Sequence, residues 1–425
     1  MEKSSSIDDA SGAAIRRELF GSAATPLQFA FWDVQGDIVR DNVARYVAES
    51  GEAVACLEIG GDYERELGAR FAAGQGPDVF HAQRAEAALW GARGHIRPLD
   101  ETRFGPLLRR MDPRMVAGAR DADGQLLGLT YYNGGPFALF AHTDFADAGD
   151  LEFGSWDVVL DYLRRAKRDG LAQYPFLPRW HSSQTGLVWS LLCHLASEGV
   201  TDLGQTGADE AIAAVLGFFA ALVDEGLAPP QCLDDRGDGP ALQRWVSGQH
   251  MLSFTTDYLA MDAAKAARKP LNLVLKLPGK ASAPLMPGHA LLCLREGLAC
   301  ERLARSERLL AYLGGTVTDD GLAVHERWLR ECLFGVPYGE VERLPGMREA
   351  MTRAFAPSQA KRSVERLLDA RAHAMMSPPT HRPFMLEWTG LADAIIRNDL
   401  LRQRRLSPQA ASAALLEAWQ RLAQG

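Results

Sequence analysis

From Leu27 onward, short apolar runs of strand length alternate with amphipathic stretches of helical spacing, and this rhythm constrains the fold more than any other feature of the sequence. LQFAFW at 27–32 is a strand-type run, and Val39, Val43 and Val47 follow it at the spacing of one helix face. AVACLEI at 53–59 is a second strand-type run. A third unit follows: Tyr63 to Ala73 fits an amphipathic helix, GQGPD at 74–78 is turn chemistry, and DVFHA leads into a helix that ends before Gly94. Strands and helices alternating at this pitch predict a parallel sheet with helices on both faces.

The rhythm breaks in ARDADGQLLGLTYYNGGPFALFAHT at 119–143. Asp123 and Gly124 supply a tight turn between two extended runs, the second uncharged and rich in Tyr, Phe and Gly, as expected of a crossing between lobes. Beyond it, Ser155 is an N-cap for WDVVLDYLRRAKRDG, a helix closed by Gly170, and 171–177 is again strand-like. Helical patterns follow at 186–197, 209–225 and 240–247, before the extended MLSFTTDY at 251–258. After about Glu301 the pattern is nearly all helical, ending with Ser407, Pro408 and an amphipathic run to Leu422. Residues 1–26, rich in Ser, Asp and Ala, are expected to be a mobile leader with one helical turn around 15–20.

Composition removes several function classes. The chain has 425 residues, long enough for two or three domains, and 46 Lys and Arg against 54 Asp and Glu give a net charge of −8. No basic tail or face is evident, so nucleic acid is not an expected partner. The longest uncharged apolar runs, such as 216–223, fall well short of the roughly 18–20 residues of a membrane span. Cys56, Cys193, Cys232, Cys293, Cys300 and Cys332 show no CxxC spacing, and most are expected to be buried and inert. Arg16 and Arg17 precede no apolar h-region, so the sequence as it stands is expected in the cytoplasm, with a periplasmic or extracellular place if the true start carries a signal.

Several reaction motifs fail at the residue that their chemistry needs. LPGKAS ends like a phosphate-binding loop, but Val274 stands where the first glycine belongs and Ala281 where the metal-binding hydroxyl belongs. DDRGDG at 234–239 looks like a calcium loop, yet Arg236 replaces an oxygen ligand and Trp245 the bidentate Glu. Both are expected to be surface turns. HExxH, GxSxG and a post-strand GxGxxG are missing, and the ten histidines lack metal-ligand spacing. No catalytic residue, metal or cofactor is expected.

The order of the remaining features resembles the family 1 extracellular solute-binding proteins of ABC transporters, the maltose-binding-protein-like class. FAFWD at 29–33, GQGPDVF at 74–80, RPLD at 97–100 and DGQLLGLTYY at 123–132 carry the first part of the likeness. SWDVVLDYLRRAKRDG, SGQHMLSFTTDY, FMLEWTGLADAI and the closing LSPQAASAALLEAW carry it to the C-terminus. The resemblance implies an α/β, two-lobed periplasmic-binding-protein-like fold of type II with a ligand cleft between the lobes. One lobe would take 27–129 plus 259–305, the other 133–255 plus 306–425.

It also implies a non-catalytic receptor, a monomer binding a sugar or polyol for an ABC importer, with permease subunits as its partners. The alternative is a cytosolic descendant of the fold working as an enzyme or ligand sensor. Sugars are held by aromatic faces against their C–H patches and by planar polar groups at their hydroxyls. At strand ends and crossings, the residues of those types are Trp32 and Asp33, Gln83 and Arg84, Tyr131 and Tyr132, Trp180 and His181, Asp257 and Tyr258, and Trp388. His289 and Tyr338 are weaker candidates. Trp32, Tyr131 and Trp388 would serve equally well as core, whereas the loop-like surroundings of Trp180 favour the cleft.

Overall fold

The apolar runs at the start of the chain become the middle of a sheet because they have no polar face to spare. In the strand Leu27–Trp32 every residue but Gln28 is buried, the pattern of a strand covered on both sides. In the computed structural model, which describes residues 5–8, 15–22, 25–145, 151–182, 186–281, 284–286, 289–315, 323–376 and 382–424, it lies parallel to Val54–Ile59 and Val79–Ala82. The helices Gly36–Ser50 and Tyr63–Ala72 make the connections between these strands. His289–Arg295 then returns from far along the chain, antiparallel to Val79–Ala82 on one side and to Ile96–Arg97 and Leu129–Asn133 on the other.

A second sheet begins where the first ends. Phe137–His142 pairs antiparallel with Leu252–Thr256 and with Asn272–Val274, and Phe176–Pro178 lies parallel to Leu252–Thr256 at the edge, where a proline costs no ladder bond. Among the described residues these strands, together with Ser5–Asp8 and Ile15–Phe20, form an eight-stranded and a four-stranded sheet, with a short pair made by Leu285–Met286 and Met375–Met376. The Trp156–Arg168 helix starts at Ser155, whose Oγ accepts from the Val158 N–H at 3.4 Å. In the C-terminal helical region, Trp388 and Trp419 meet edge to face, 5.2 Å apart, in the core.

Four sequence expectations change. Ile15–Phe20 is not a helical turn of a mobile leader but a strand, antiparallel to Val54–Ile59, with Ile15 and Phe20 buried. Residues 1–4, 9–14 and 23–24 of that leader lie outside the described residues. The strand expected over 171–177 is confined to Phe176–Pro178. Asn272–Val274, assigned to the first lobe, belongs to the second sheet, so the chain rejoins the first sheet only at His289. DDRGDG is not a surface turn: Asp235 is buried in a bidentate pair with Arg244, and Asp238 opens the helix Asp238–Val246.

No helix among the described residues is long and apolar enough to cross a membrane. The six cysteines are free; five are buried and Cys300 is exposed. Burial pushes the thiols of Cys232 and Cys332 up to about 12, which suppresses the reactive thiolate. A thiol reagent is therefore expected to modify one cysteine quickly in the native protein and all six after denaturation. A second fast thiol in the native state would contradict this packing.

Candidate ligand-binding cavity

The carboxyl ends of the first sheet's parallel strands deliver Trp32 and, one residue past Val79–Ala82, Gln83 to one side of a cavity. Tyr132 and His289 come to the same side from the paired strands that cross it. The opposite side is built from Arg179, Thr256 and Tyr258 at the ends of the second sheet's strands, with Trp189 from the helix Gly186–Ser197. Phe334 closes the wall. The cavity volume is about 90 Å³, several times the roughly 10–15 Å³ that one enclosed water needs.

The aromatic side is continuous across both sheets. The Trp32 Nε1–H donates to the Tyr132 hydroxyl at 2.6 Å, Tyr132 stacks on Phe334 at 4.6 Å between centroids, and Phe334 meets Tyr258 at 4.8 Å. Phe334 is aimed by the residue before it: Leu333 has φ 62°, a left-handed conformation that a leucine adopts only at a cost. Beneath Trp32, His81 lies 4.9 Å from the indole, among Phe29, Phe31, Tyr131 and Tyr132. Burial pushes its imidazole down to about 3, so it packs there as a neutral ring.

The polar side is a network centred on Asp238. Arg179 grips the carboxylate with two bonds of 2.6 and 3.0 Å, the Tyr258 hydroxyl donates to it at 2.9 Å, and His181 Nε2 stands 3.2 Å away. Burial alone would raise Asp238, but Arg179 and His181 outweigh it and hold the carboxyl well below its usual range. Burial opposes the charge on Arg179 too, and Asp238 restores it above the ordinary guanidinium value. His289 is pushed well below its usual value, by burial and then by Arg84, so it is neutral. The cavity thus carries its charge as a compensated pair.

Gln83 is fixed by a reciprocal cap, since its backbone N–H donates to Glu86 at 2.7 Å at the start of the helix Arg84–Ala92. Burial raises Glu86 to about 8, with the Gln83 N–H opposing. The folded state therefore holds a proton there that the unfolded chain releases, and the stability from this group is lost progressively as pH rises from about 4.5 to 8. Glu86→Gln keeps the cap and should show a shallower loss of stability across that window in urea titrations at several pH values. Equal slopes for parent and variant would count against a buried neutral Glu86.

Of the residues expected at the cleft, Trp32, Gln83, Tyr132 and Tyr258 line the cavity, as does the weaker candidate His289. His181 is not part of its wall but stands beside Asp238. Asp33 is exposed beside it and not part of its wall. Arg84 turns inward to the Gly118 carbonyl. Tyr131 is core, with its hydroxyl accepting from Asn42 at 3.0 Å and its ring edge-on to Trp328. Trp180 is core as well, against Phe219. Asp257 is buried against Arg371, Trp388 donates to the Leu415 carbonyl, and Tyr338 to that of Gly314.

The fold recurs in known structures. Maltose-bound MalE3 of T. maritima matches with a TM-score of 0.76 and 16% identity over 94% of this chain and 100% of that one. The fold is that of the ABC-transporter solute-binding proteins. A solute-binding protein of an ABC transporter from Thermotoga lettingae, bound with α-D-tagatose, matches at 0.75 and 16%, over 94% and 100%. The GacH receptor of Streptomyces glaucescens, solved unliganded and with acarbose, matches at 0.72 and 17%, over 94% and 99%. No protein-family model matches the chain, and no curated protein does.

Arg179, Trp189, Thr256, Phe334 and Asp238 were not anticipated. Arg179 and Asp238 are 59 residues apart, and DDRGDG drew attention only as a failed calcium loop. Trp189 sits on a helix in which every residue is buried, so no periodicity marks the face toward the cavity.

Proposed function

We propose that this chain is a receptor for a neutral carbohydrate of about one sugar ring, a monosaccharide or a comparably small polyol, which it binds without turnover and presents to the permease of an ABC importer. The observation that carries this is the unbroken aromatic wall Trp32, Tyr132, Phe334 and Tyr258, which reaches from one sheet to the other. Aromatic faces suit the C–H patches of a sugar ring, and Gln83, Thr256 and Arg179 suit its hydroxyls. The compensated Arg179–Asp238 pair and the neutral His289 favour an uncharged ligand. Like the sugar-bound proteins of the same fold, it would clasp the ligand between two lobes. One lobe is built on the eight-stranded sheet, the other on the four-stranded sheet, and only a ligand touching both favours closure.

The receptor is proposed to act as a monomer outside the cytoplasmic membrane, in place of the cytoplasmic location read from its N-terminal residues. A thermal-shift panel of mono- and oligosaccharides and polyols tests the ligand class. A small neutral sugar should raise Tm by mass action and be recovered unchanged after incubation. No shift with any member would refute the carbohydrate reading, and turnover would refute the receptor. Recovery of the native protein only from the cytosolic fraction would refute the transport role.

A further inference from the structure

At the opposite end of the first sheet from the cleft, near the starts of Leu27–Trp32 and Val79–Ala82, lies a second pocket of about 540 Å³. Four arginines line it: Arg17 from the strand Ile15–Phe20, Arg70 from the helix Tyr63–Ala72, Arg295 from the end of His289–Arg295, and Arg302 from Cys300–Leu313. Two carboxylates, Asp78 and Glu18, also line it. Four separate elements thus bring guanidinium groups to one concave place.

The arginines are not all neutralised by these neighbours. Asp78 is buried and committed: Arg302 holds it with two bonds of 2.6 Å, and the Gln28 N–H donates to it at 2.8 Å. Arg70 is paired with Glu66 at 3.0 Å. Glu18 faces Arg16 and Arg40. Arg295 reaches Asp78 only at 3.6 Å, and its Nε is buried with no hydrogen-bond partner in the structure. Arg17, exposed on its strand, has no ion pair among the described residues. Asp78 is thus shared by two arginines, Arg17 finds no carboxylate among the described residues, and the desolvated Arg295 donor costs free energy until an acceptor meets it.

The loop GQGPD is shaped to admit this arrangement. A Cβ at Gly76 would stand 2.5 Å from the Phe71 ring and 3.0 Å from Arg295 Cδ, so glycine leaves the path along which the Arg295 stem runs to the pocket. Planar guanidinium forks converging from separate elements match the oxygens of a tetrahedral anion, which accepts from several N–H groups at once.

We infer that this pocket is a second ligand site, distinct from the cleft, for a phosphate dianion or the phosphoryl group of a small metabolite, with Arg17 and Arg295 as its principal contacts. The test is calorimetric titration of the full chain with inorganic phosphate at low and at high salt, on the parent, Arg17→Gln, Arg295→Gln and the cleft variant Trp32→Ala. Phosphate is expected to bind the parent, more weakly at high salt. Each arginine variant should bind about tenfold more weakly, whereas Trp32→Ala binds phosphate like the parent. Arg17 is exposed on its strand, so Arg17→Gln keeps the question open to refutation should Arg295→Gln fail to fold. No binding of phosphate to the parent up to millimolar concentration, or equal binding by parent and Arg17→Gln, would overturn the inference. Loss of phosphate binding in Trp32→Ala would overturn its separateness from the cleft, whatever sugar the cleft takes.

Discussion

Asp257→Ala is expected to destabilise the fold by about 3–5 kcal/mol at neutral pH, the usual cost of stranding one member of a buried ion pair. Asp257 follows the strand Leu252–Thr256 at the second crossing and is fully buried, as is its partner Arg371, whose Nε and Nη2 lie 3.0 and 2.9 Å from it. The first crossing packs against the same carboxylate, since a Cβ on Gly135, at φ +71°, would stand 1.9 Å from Asp257 Oδ1. Arg371 also donates to the carbonyl of Leu333, the residue that aims Phe334. The pair ties both crossings to the aromatic wall.

Burial of Asp257 outweighs the attraction of Arg371 and raises the carboxyl to about 6. Its folded pKa lies above the unfolded one, so its contribution to stability is full below about pH 3.8 and lost as pH rises through 6. The desolvation penalty exceeding the Coulombic gain leads to a second outcome. Asp257→Leu with Arg371→Met should recover most of the stability lost in Asp257→Ala. Urea midpoints of the three proteins decide the point, and a double variant as unstable as the single one would refute this balance.

Trp180→Ala is expected to cost about 3–5 kcal/mol of stability, as a large core truncation does, while leaving the cavity intact. Its indole is 1% exposed against Phe219 at 5.1 Å, and its carbonyl accepts from Arg397 at 2.9 Å. Arg397 belongs to the π-helical stretch Ile395–Arg402, where the wider turn lets it reach both that carbonyl and Asp393. Chemical denaturation of Trp180→Ala should show the loss. A variant as stable as the parent but unable to bind ligand would return Trp180 to the cleft.

Trp180 also shows where the sequence stops being legible. PFLPRWHSSQ has the look of an exposed loop, and the partners that bury Trp180, Phe219 against its indole and Arg397 at its carbonyl, lie far along the chain. The strands were legible because burial on both faces leaves continuous apolar runs, and Trp32, Gln83 and Tyr258 because the residues at and just past the strand ends line the cavity. Tyr131 and Tyr132 point to opposite faces of one strand, so sequence alone could not choose the one facing the cavity. Phe334 was beyond reach, since its direction depends on a left-handed leucine without local signature. Ile15–Phe20 was missed because pairing with Ser5–Asp8 and Val54–Ile59, rather than any alternation of its own, makes it a strand.

The central claim, that the cavity between the two sheets holds a small neutral sugar, is tested most directly by calorimetric titration of a sugar identified in the thermal panel. The parent, Trp32→Ala from one side, Trp189→Ala from the other and Trp180→Ala from the core would be compared, each first shown to be folded by circular dichroism. Both cavity variants should bind about tenfold to a hundredfold more weakly, and Trp180→Ala like the parent. Undiminished affinity in both Trp32→Ala and Trp189→Ala would place the ligand elsewhere and contradict the account.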